Sequence, residues 1–291
     1  MRMRWFAALG AVALTSALPG AAQAAEGCKA IAGADGLLQR ADLRWLVVGE
    51  LHGTAELPEA FADLVCLAAA RGKPVTVGLE FPPEEQARFD AYMASPGDAK
   101  ARAALLEGAT WRRGMRDGRS SAAMAALMER LRVMKAAGKV RQVRAIRNQP
   151  TLTPGQPYDA AAGEAAIGEG MKAAGSADGL TLILIGNIHA ALRPFGSIAY
   201  PPAASALPSG QTVTLNFFYA GGSAWNCMSA QPGAPVTCEG RSMGAAPQPG
   251  ERRIALGGPA GLPWTGLFDI GAPVTASPPA VPEAAAVALK E

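Results

Sequence analysis

The sequence predicts an α/β protein: a mainly parallel sheet with helices on both faces, followed by a disulfide-stapled C-terminal elaboration. Three observations carry that expectation. Short apolar runs that end on Gly or a polar residue alternate with helical stripes. A strand–helix–strand unit is complete by residue 80, and such a crossover makes its two strands parallel. Two of the four cysteines lie close together in a Pro- and Gly-rich stretch beyond the last helical stripe.

The elements follow in order. Residues 25–44 are a lead-in to a buried strand, Trp45–Gly49, which is continuous, apolar and closed by glycine. A helix then opens near Pro58, a residue that suits a first turn. Its core stripe is Phe61, Leu64, Val65 and Ala68, at i, i+3, i+4 and i+7. Gly72 stops it and Pro74 prevents its return before the second strand, Val75–Leu79, which ends at Glu80. Pro82-Pro83 opens a helix to about Met93, and Asp98–Glu107 forms a shorter one. Trp111–Gly118 is a loop, and Ser120 or Ser121 caps the next helix. That helix carries Met124, Leu127, Met128 and Leu131 inward and ends at Gly138; its methionines are core filler.

Val140–Ile146 is the third strand, with Arg147-Asn148 at its end. After a loop at Thr151–Pro157, Asp159 caps a helix to about Ala174, and Thr181–Ile185 is the fourth strand. Pro194–Gly210 is irregular. Thr212–Tyr219 alternates as a half-buried strand should, 220–251 is loop-rich, and Leu267–Ile270 forms a last short strand. From residue 272 to 291 the chain is Pro and Ala with little to bury, which predicts an extended or disordered tail. The domain thus spans 25–271, with a core at 44–193 and an elaboration at 194–271.

Residues 1–24 have the pattern of a Sec signal peptide: Arg2 and Arg4, a short apolar stretch from Trp5 to Leu18, and a cleavage site after Ala24. Export to the periplasm or beyond is expected, and no later stretch is apolar enough to span a bilayer. Loss of those residues removes two Arg and no acid, so the net charge falls from +3 to +1. That argues against nucleic acid as a partner, because phosphate binding needs a clustered basic surface. The arginines of 112–147 are expected on a solvated face. Four cysteines in an exported chain suggest two disulfides, for which three connectivities are allowed. Cys227 and Cys238 close a short loop, which leaves Cys28 with Cys66.

The chemistry gathers at the strand ends. The chain has two histidines, and both stand in the same context: Gly49-Glu50-Leu51-His52 and Gly186-Asn187-Ile188-His189 each follow an apolar run. Glu80 and Arg147 end the other two strands. Ligands of an open parallel sheet bind at the carboxyl ends of its strands. Glu50, His52, Glu80 and His189 could therefore ligate a divalent transition metal (manganese, cobalt or zinc) that activates water. A metal-free alternative uses the same side chains. His52 is the base, Glu50 or Glu80 orients it, and His189 or Arg147 steadies the developing negative charge. Glu56 and Asn187 are candidate ligand contacts beside them.

The stretches Val48-Gly49-Glu50-Leu51-His52-Gly53-Thr54, Gly78-Leu79-Glu80 and Ile185-Gly186-Asn187-Ile188-His189-Ala190 resemble the erythromycin esterase / ChaN / Tiki superfamily, specifically its haem-binding-uptake ChaN-like domain. The resemblance covers about residues 44–193 and implies that Glu50, His52, Glu80 and His189 line the site. It implies an exported hydrolase of an ester or amide, on a small-molecule or peptide substrate, or alternatively a non-catalytic haem- or iron-binding uptake protein. In the esterase branch the His matching His52 would be the base; in the Tiki branch both His and the Glu would serve a metal. Tyr158-Asp159 stands where many ChaN-like members have Arg-Asp, which leaves Arg147 as the substitute cation. Residues 211–271, with Gly221–Cys227 among them, lie outside the shared core and are expected to form a lid or rim.

Overall fold

The computed structural model describes residues 27–282 except 115, 151–154, 156, 230, 232, 245–249 and 259–260. The expected signal stretch 1–24, most of the expected 151–157 loop and residues 283–291 lie outside the described residues.

The helices are α1 (Ala34–Leu38), α2 (Glu56–Ala69), α3 (Gln86–Met93), α4 (Ala99–Leu106), α5 (Ala109–Arg112), α6 (Ala122–Ala136) and α7 (Ala160–Ala173). The strands are β1 (Trp45–Glu50), β2 (Val75–Leu79), β3 (Gln142–Ala145), β4 (Leu180–Gly186), β5 (Thr212–Phe218), β6 (Ser223–Ser229), β7 (Val236–Ser242), β8 (Arg253–Leu256) and β9 (Gly266–Asp269). Seven strands form one sheet in the order β3-β2-β4-β1-β5-β9-β8, parallel except for β8 against β9. β6 and β7 form a separate antiparallel hairpin.

The strand order explains the two helical layers. From β1 the chain crosses outward to β2 and then to β3, so the helices of 56–136 pack on one face. It then reverses to insert β4 between β2 and β1, and a right-handed crossover in that direction carries α7 to the other face. Alternate residues of β4 record the division. Leu180, Leu182 and Leu184 pack with α2 and α6, whereas Ile183 and Ile185 pack with Ile167 and Met171 of α7.

Local signals place most elements. Asp98, Ser121 and Asp159 cap α4, α6 and α7 with their side chains. α2 begins at Glu56, two residues before Pro58, which then occupies its first turn. Three findings correct the sequence reading. Beyond residue 193 the sheet continues, with β5 paired to β1 and β9 paired to β5. β5 is consequently internal, with Thr212–Leu215 buried on both sides, rather than half exposed. Within 220–251, which the sequence reads as loop-rich, Ser223–Ser229 and Val236–Ser242 pair as the antiparallel β6–β7 hairpin. Residues 272–282 are extended as expected, but Val274 and Val281 are buried in the core.

Both expected disulfides are present. Cys28–Cys66 ties the start of the described chain to α2, and Cys227–Cys238 joins directly opposed residues of β6 and β7.

Candidate active site

Strand order sets the line of polar side chains along the carboxyl edge. From β3 to β1 they are Arg147, Glu80, His189, and then Glu50 with His52. Glu50 of β1 lies level with Gly186 of β4, so the two Gly-x-x-His segments leave adjacent strands one residue apart. Both imidazoles therefore reach the same place.

Buried Glu80 is the centre of that place. Its Oε2 accepts the Gly186 N–H at 2.7 Å and lies 3.3 Å from His52 Nε2. Its Oε1 accepts Arg119 Nη1 at 2.6 Å and lies 3.3 Å from Arg147 Nε and 3.8 Å from His189 Nε2. Burial alone would raise this carboxyl's pKa. The charges of His52 and Arg119 outweigh burial and hold it well below the usual carboxylate range.

The two imidazoles differ in their partners. His52 Nδ1 donates to Glu50 Oε1 at 2.9 Å, so this ring stands between two carboxylates. Burial disfavours its charge, but Glu80 and Glu50 outweigh burial and its pKa is pushed up to about 10. His52 is thus an imidazolium at neutral pH. His189 Nδ1 donates to Glu164 Oε1 at 2.6 Å, and Glu164 Oε2 is fixed by the Ala203 N–H at 2.8 Å. His189 Nε2 faces the cluster, 3.8 Å from Glu80, which is beyond hydrogen-bonding reach. The rings flank Gly186: a Cβ there would stand 3.1 Å from His52 Nε2 and 3.4 Å from His189 Cδ2. Glycine keeps that space open.

A second arm of the site comes from the Gly118–Ser120 turn. Arg119 binds Asp117 through Nε and Nη2 as well as Glu80, and Arg113 Nη2 reaches Asp117 Oδ1 at 2.5 Å. Burial would raise the Asp117 pKa, but Arg119 and Arg113 lower it. This turn touches the His52 loop backbone to backbone, since a Cβ on Gly118 would fall 1.8 Å from Gly53 N. Gly53 itself has φ 86°, and a Cβ there would meet Trp225 O at 1.9 Å. The hairpin rests on this junction: the Trp225 N–H donates to Gly53 O at 2.8 Å and Trp225 Nε1 to Arg116 O at 3.0 Å. Residues 272–282 cross it too, with the Ser277 N–H on Gly53 O and the Ala280 N–H on Ser120 O, each at 2.8 Å.

Five residues singled out by sequence, Glu50, His52, Glu80, Arg147 and His189, meet in this cluster. Glu56 does not join them in any described contact; its carboxylate accepts the Thr275 N–H at 2.8 Å and so anchors the C-terminal segment. Asn187 contributes backbone, its N–H donating to Glu50 O at 2.9 Å and its O accepting Trp264 Nε1 at 3.0 Å. Glu164, Arg119, Arg113 and Asp117 escaped the sequence reading. Glu164 had a signal: it precedes Ile167 by three residues and Met171 by seven, which puts a carboxylate on α7's apolar stripe. The arginines had none, because Arg119 meets Glu80 across 39 residues. The expected solvated face fails at Arg116, which is 7% exposed and donates to Val281 O at 2.6 Å.

The donor set does not suit a divalent cation. Both Glu80 oxygens face N–H donors, two of them guanidinium groups, and both His52 nitrogens face carboxylates. Among the described residues, no group of three His, Cys, Asp or Glu side chains is arranged to hold a metal ion.

No family model matches the sequence, and no curated protein does. Solved structures do. A protein from Bacillus cereus aligns over 81% of this chain and 90% of its own, at 12% identity and a TM-score of 0.56. A succinoglycan biosynthesis protein aligns over 81% and 89%, at 11% identity and a TM-score of 0.56. The erythromycin esterase EreC, in its open conformation, aligns over 72% and 78%, at 12% identity and a TM-score of 0.51. At such identities the likeness is one of fold: the chain shares the fold of these three proteins.

Proposed function

We propose that this chain is an exported, metal-independent hydrolase that cleaves an ester or amide in a small molecule or peptide, with His189 as general base. The observation that carries this reading is the contrast between the two imidazoles. His52 is bracketed by two carboxylates and has no free lone pair at neutral pH. His189 has one carboxylate on Nδ1 and an open Nε2. Environments that set two titratable groups apart in this way assign the base and the electrophile.

In the reaction, His189 Nε2 takes a proton from water as its oxygen attacks the carbonyl carbon. Glu164 fixes the ring's tautomer and steadies the imidazolium that forms. The negative charge on the carbonyl oxygen is met by His52, whose Nε2–H makes a weak 3.3 Å contact with Glu80 that a substrate oxygen can share. As the tetrahedral intermediate collapses, His189 returns its proton to the departing alcohol or amine. These roles exchange the two histidines relative to the sequence expectation, in which His52 is the base. The fold shared with an erythromycin esterase supports ester hydrolysis, and the two disulfides support export. Among the described residues, no helix is long and apolar enough to cross a membrane.

The test is hydrolysis of p-nitrophenyl acetate and a fluorogenic peptide by the purified mature protein. The rate should survive EDTA and fall by roughly 10²–10⁴-fold in His189→Ala. Full activity in His189→Ala, or its abolition by EDTA, would sink the mechanism. Added hemin should show only the broad band of free hemin, with no sharpened and shifted Soret band.

A further inference from the structure

We propose that Arg113 and Arg147 form a binding site for an oxyanion, a carboxylate or phosphate carried by the substrate beside its scissile bond. The claim about substrate rests on the hydrolase reading above; the anion site itself does not.

Arg147 and Arg113 each keep a buried Nε with no hydrogen-bond partner. The Arg147 side chain makes one ion pair among the described residues, the 3.3 Å approach of its Nε to Glu80, and is 26% exposed. Among the described residues no hydrogen bond or ion pair engages its outer nitrogens. Arg113 spends Nη2 on Asp117, a carboxylate that Arg119 already holds through two nitrogens, and its side chain is 31% exposed. Arg119 is the saturated member, bound to Asp117 and Glu80 together.

The charges do not balance along this arm. Three guanidiniums, Arg113, Arg119 and Arg147, share the two carboxylates Asp117 and Glu80. The His52 and Glu50 charges offset each other, and Glu164 is engaged at the opposite end by His189 and Ala203. Burial lowers the Arg113 pKa; the Asp117 charge opposes this, and the neighbouring Arg119 and Arg147 charges add to it. Like charges held together in a partly buried site are relieved by an anion. The planar guanidinium fork fits carboxylate and phosphate oxygens in pairs. Because Arg147 and His52 both contact Glu80, an anion on Arg147 would sit close to the carbonyl that His52 polarises.

The experiment has two arms. Inorganic phosphate and succinate are titrated into the folded protein by calorimetry, separating phosphate from carboxylate as the favoured group. Saturable binding is expected, weakened about tenfold or more in Arg113→Gln and Arg147→Gln, and partly restored in Arg147→Lys. Arg141→Gln, which removes a guanidinium paired with exposed Asp178 beside the start of β3, should bind as the wild type does. Thermal unfolding shows which variants fold; if Arg147→Gln does not, Arg147→Lys carries the test, because it keeps the charge and loses the fork. The second arm compares 3-carboxy-4-nitrophenyl acetate, whose ring carboxylate cannot reach its own ester, with p-nitrophenyl acetate. The anionic ester should be preferred about tenfold or more in kcat/KM, and Arg147→Gln should erase the preference through KM. No anion binding, or binding indifferent to both arginines, overturns the proposal. Arginine-dependent binding without hydrolysis of either ester keeps the anion site and removes the hydrolase reading. Hydrolysis without charge preference or anion binding does the reverse.

Discussion

A histidine between two carboxylates and a histidine on one carboxylate are different reagents, although the residues are identical. His52 keeps its proton because Glu50 and Glu80 both accept from it, whereas Glu164 holds His189 by one nitrogen alone. Two predictions belong at this scale. Glu164→Gln should lower kcat about tenfold to a hundredfold with little change in KM, read by steady-state kinetics, since it frees the ring without touching substrate. An unchanged kcat would show that Glu164 only packs α7. The second concerns pH. The His52 pKa is raised from 6.5 to about 10, so its stabilisation is fully present below pH 6.5 and is lost as pH rises through 10. The lowered Glu80 carboxyl is the same interaction from the other side: its stabilisation is present above 4.5 and is lost as pH falls through the folded-state value. Urea midpoints measured from pH 6.5 to 10 should fall in the wild type and stay nearly level in His52→Asn. Glu50, His52, Glu80 and His189 were legible because a polar residue at the end of a buried run is costly unless used. Arg119 and Arg113 were not, because their partners are supplied by tertiary contact.

At the scale of elements, β1, β2 and β4 were readable as unbroken apolar runs, and their boundaries hold within a residue. β6 and β7 were not. Ser223–Ser229 and Val236–Ser242 are mostly half-buried or exposed, so neither has the alternation that marks a strand resting on a core. Their pairing is set by the opposed cystine and by hydrogen bonds to Gly53 and Val274. This gives an ordering of the two disulfides. The Cys28–Cys66 link spans 38 residues and reaches the buried face of α2, whereas Cys227–Cys238 spans 11 within an exposed hairpin. Replacing each pair by Ser should cost roughly 2–4 kcal/mol, with the larger loss at Cys28–Cys66, as read from urea unfolding. The reverse order would mean that the hairpin belongs to the cooperative core.

For the whole molecule, the decisive feature is the insertion of β4 between β2 and β1, which sets the His189 loop between the strand ends of Glu80 and His52 and brings both imidazoles to Glu80. The parallel sheet and two faces of helices followed from the β–α–β reading, but the strand order did not, since apolar runs of similar length carry no label for their neighbours. Nor did composition reveal the C-terminal segment. Its Pro and Ala content gives no periodic stripe, yet it lays Val274 and Val281 into the core and binds Gly53, Ser120 and Ala122 through backbone groups. Deleting residues 272–291 should leave the sheet folded, with near-native far-UV circular dichroism, while kcat/KM falls about tenfold or more because Arg119 and His52 lose their common support. Full activity in that truncation would show the segment to be mere covering.

That fastening sets an order of events for a newly made chain. Every described strand of the sheet precedes residue 272, so the scaffold can form before residues 272–282 are laid across it. Until residues 272–282 lie down across the two loops, Gly53 and Ser120 lack the Ser277 and Ala280 N–H groups that fasten them.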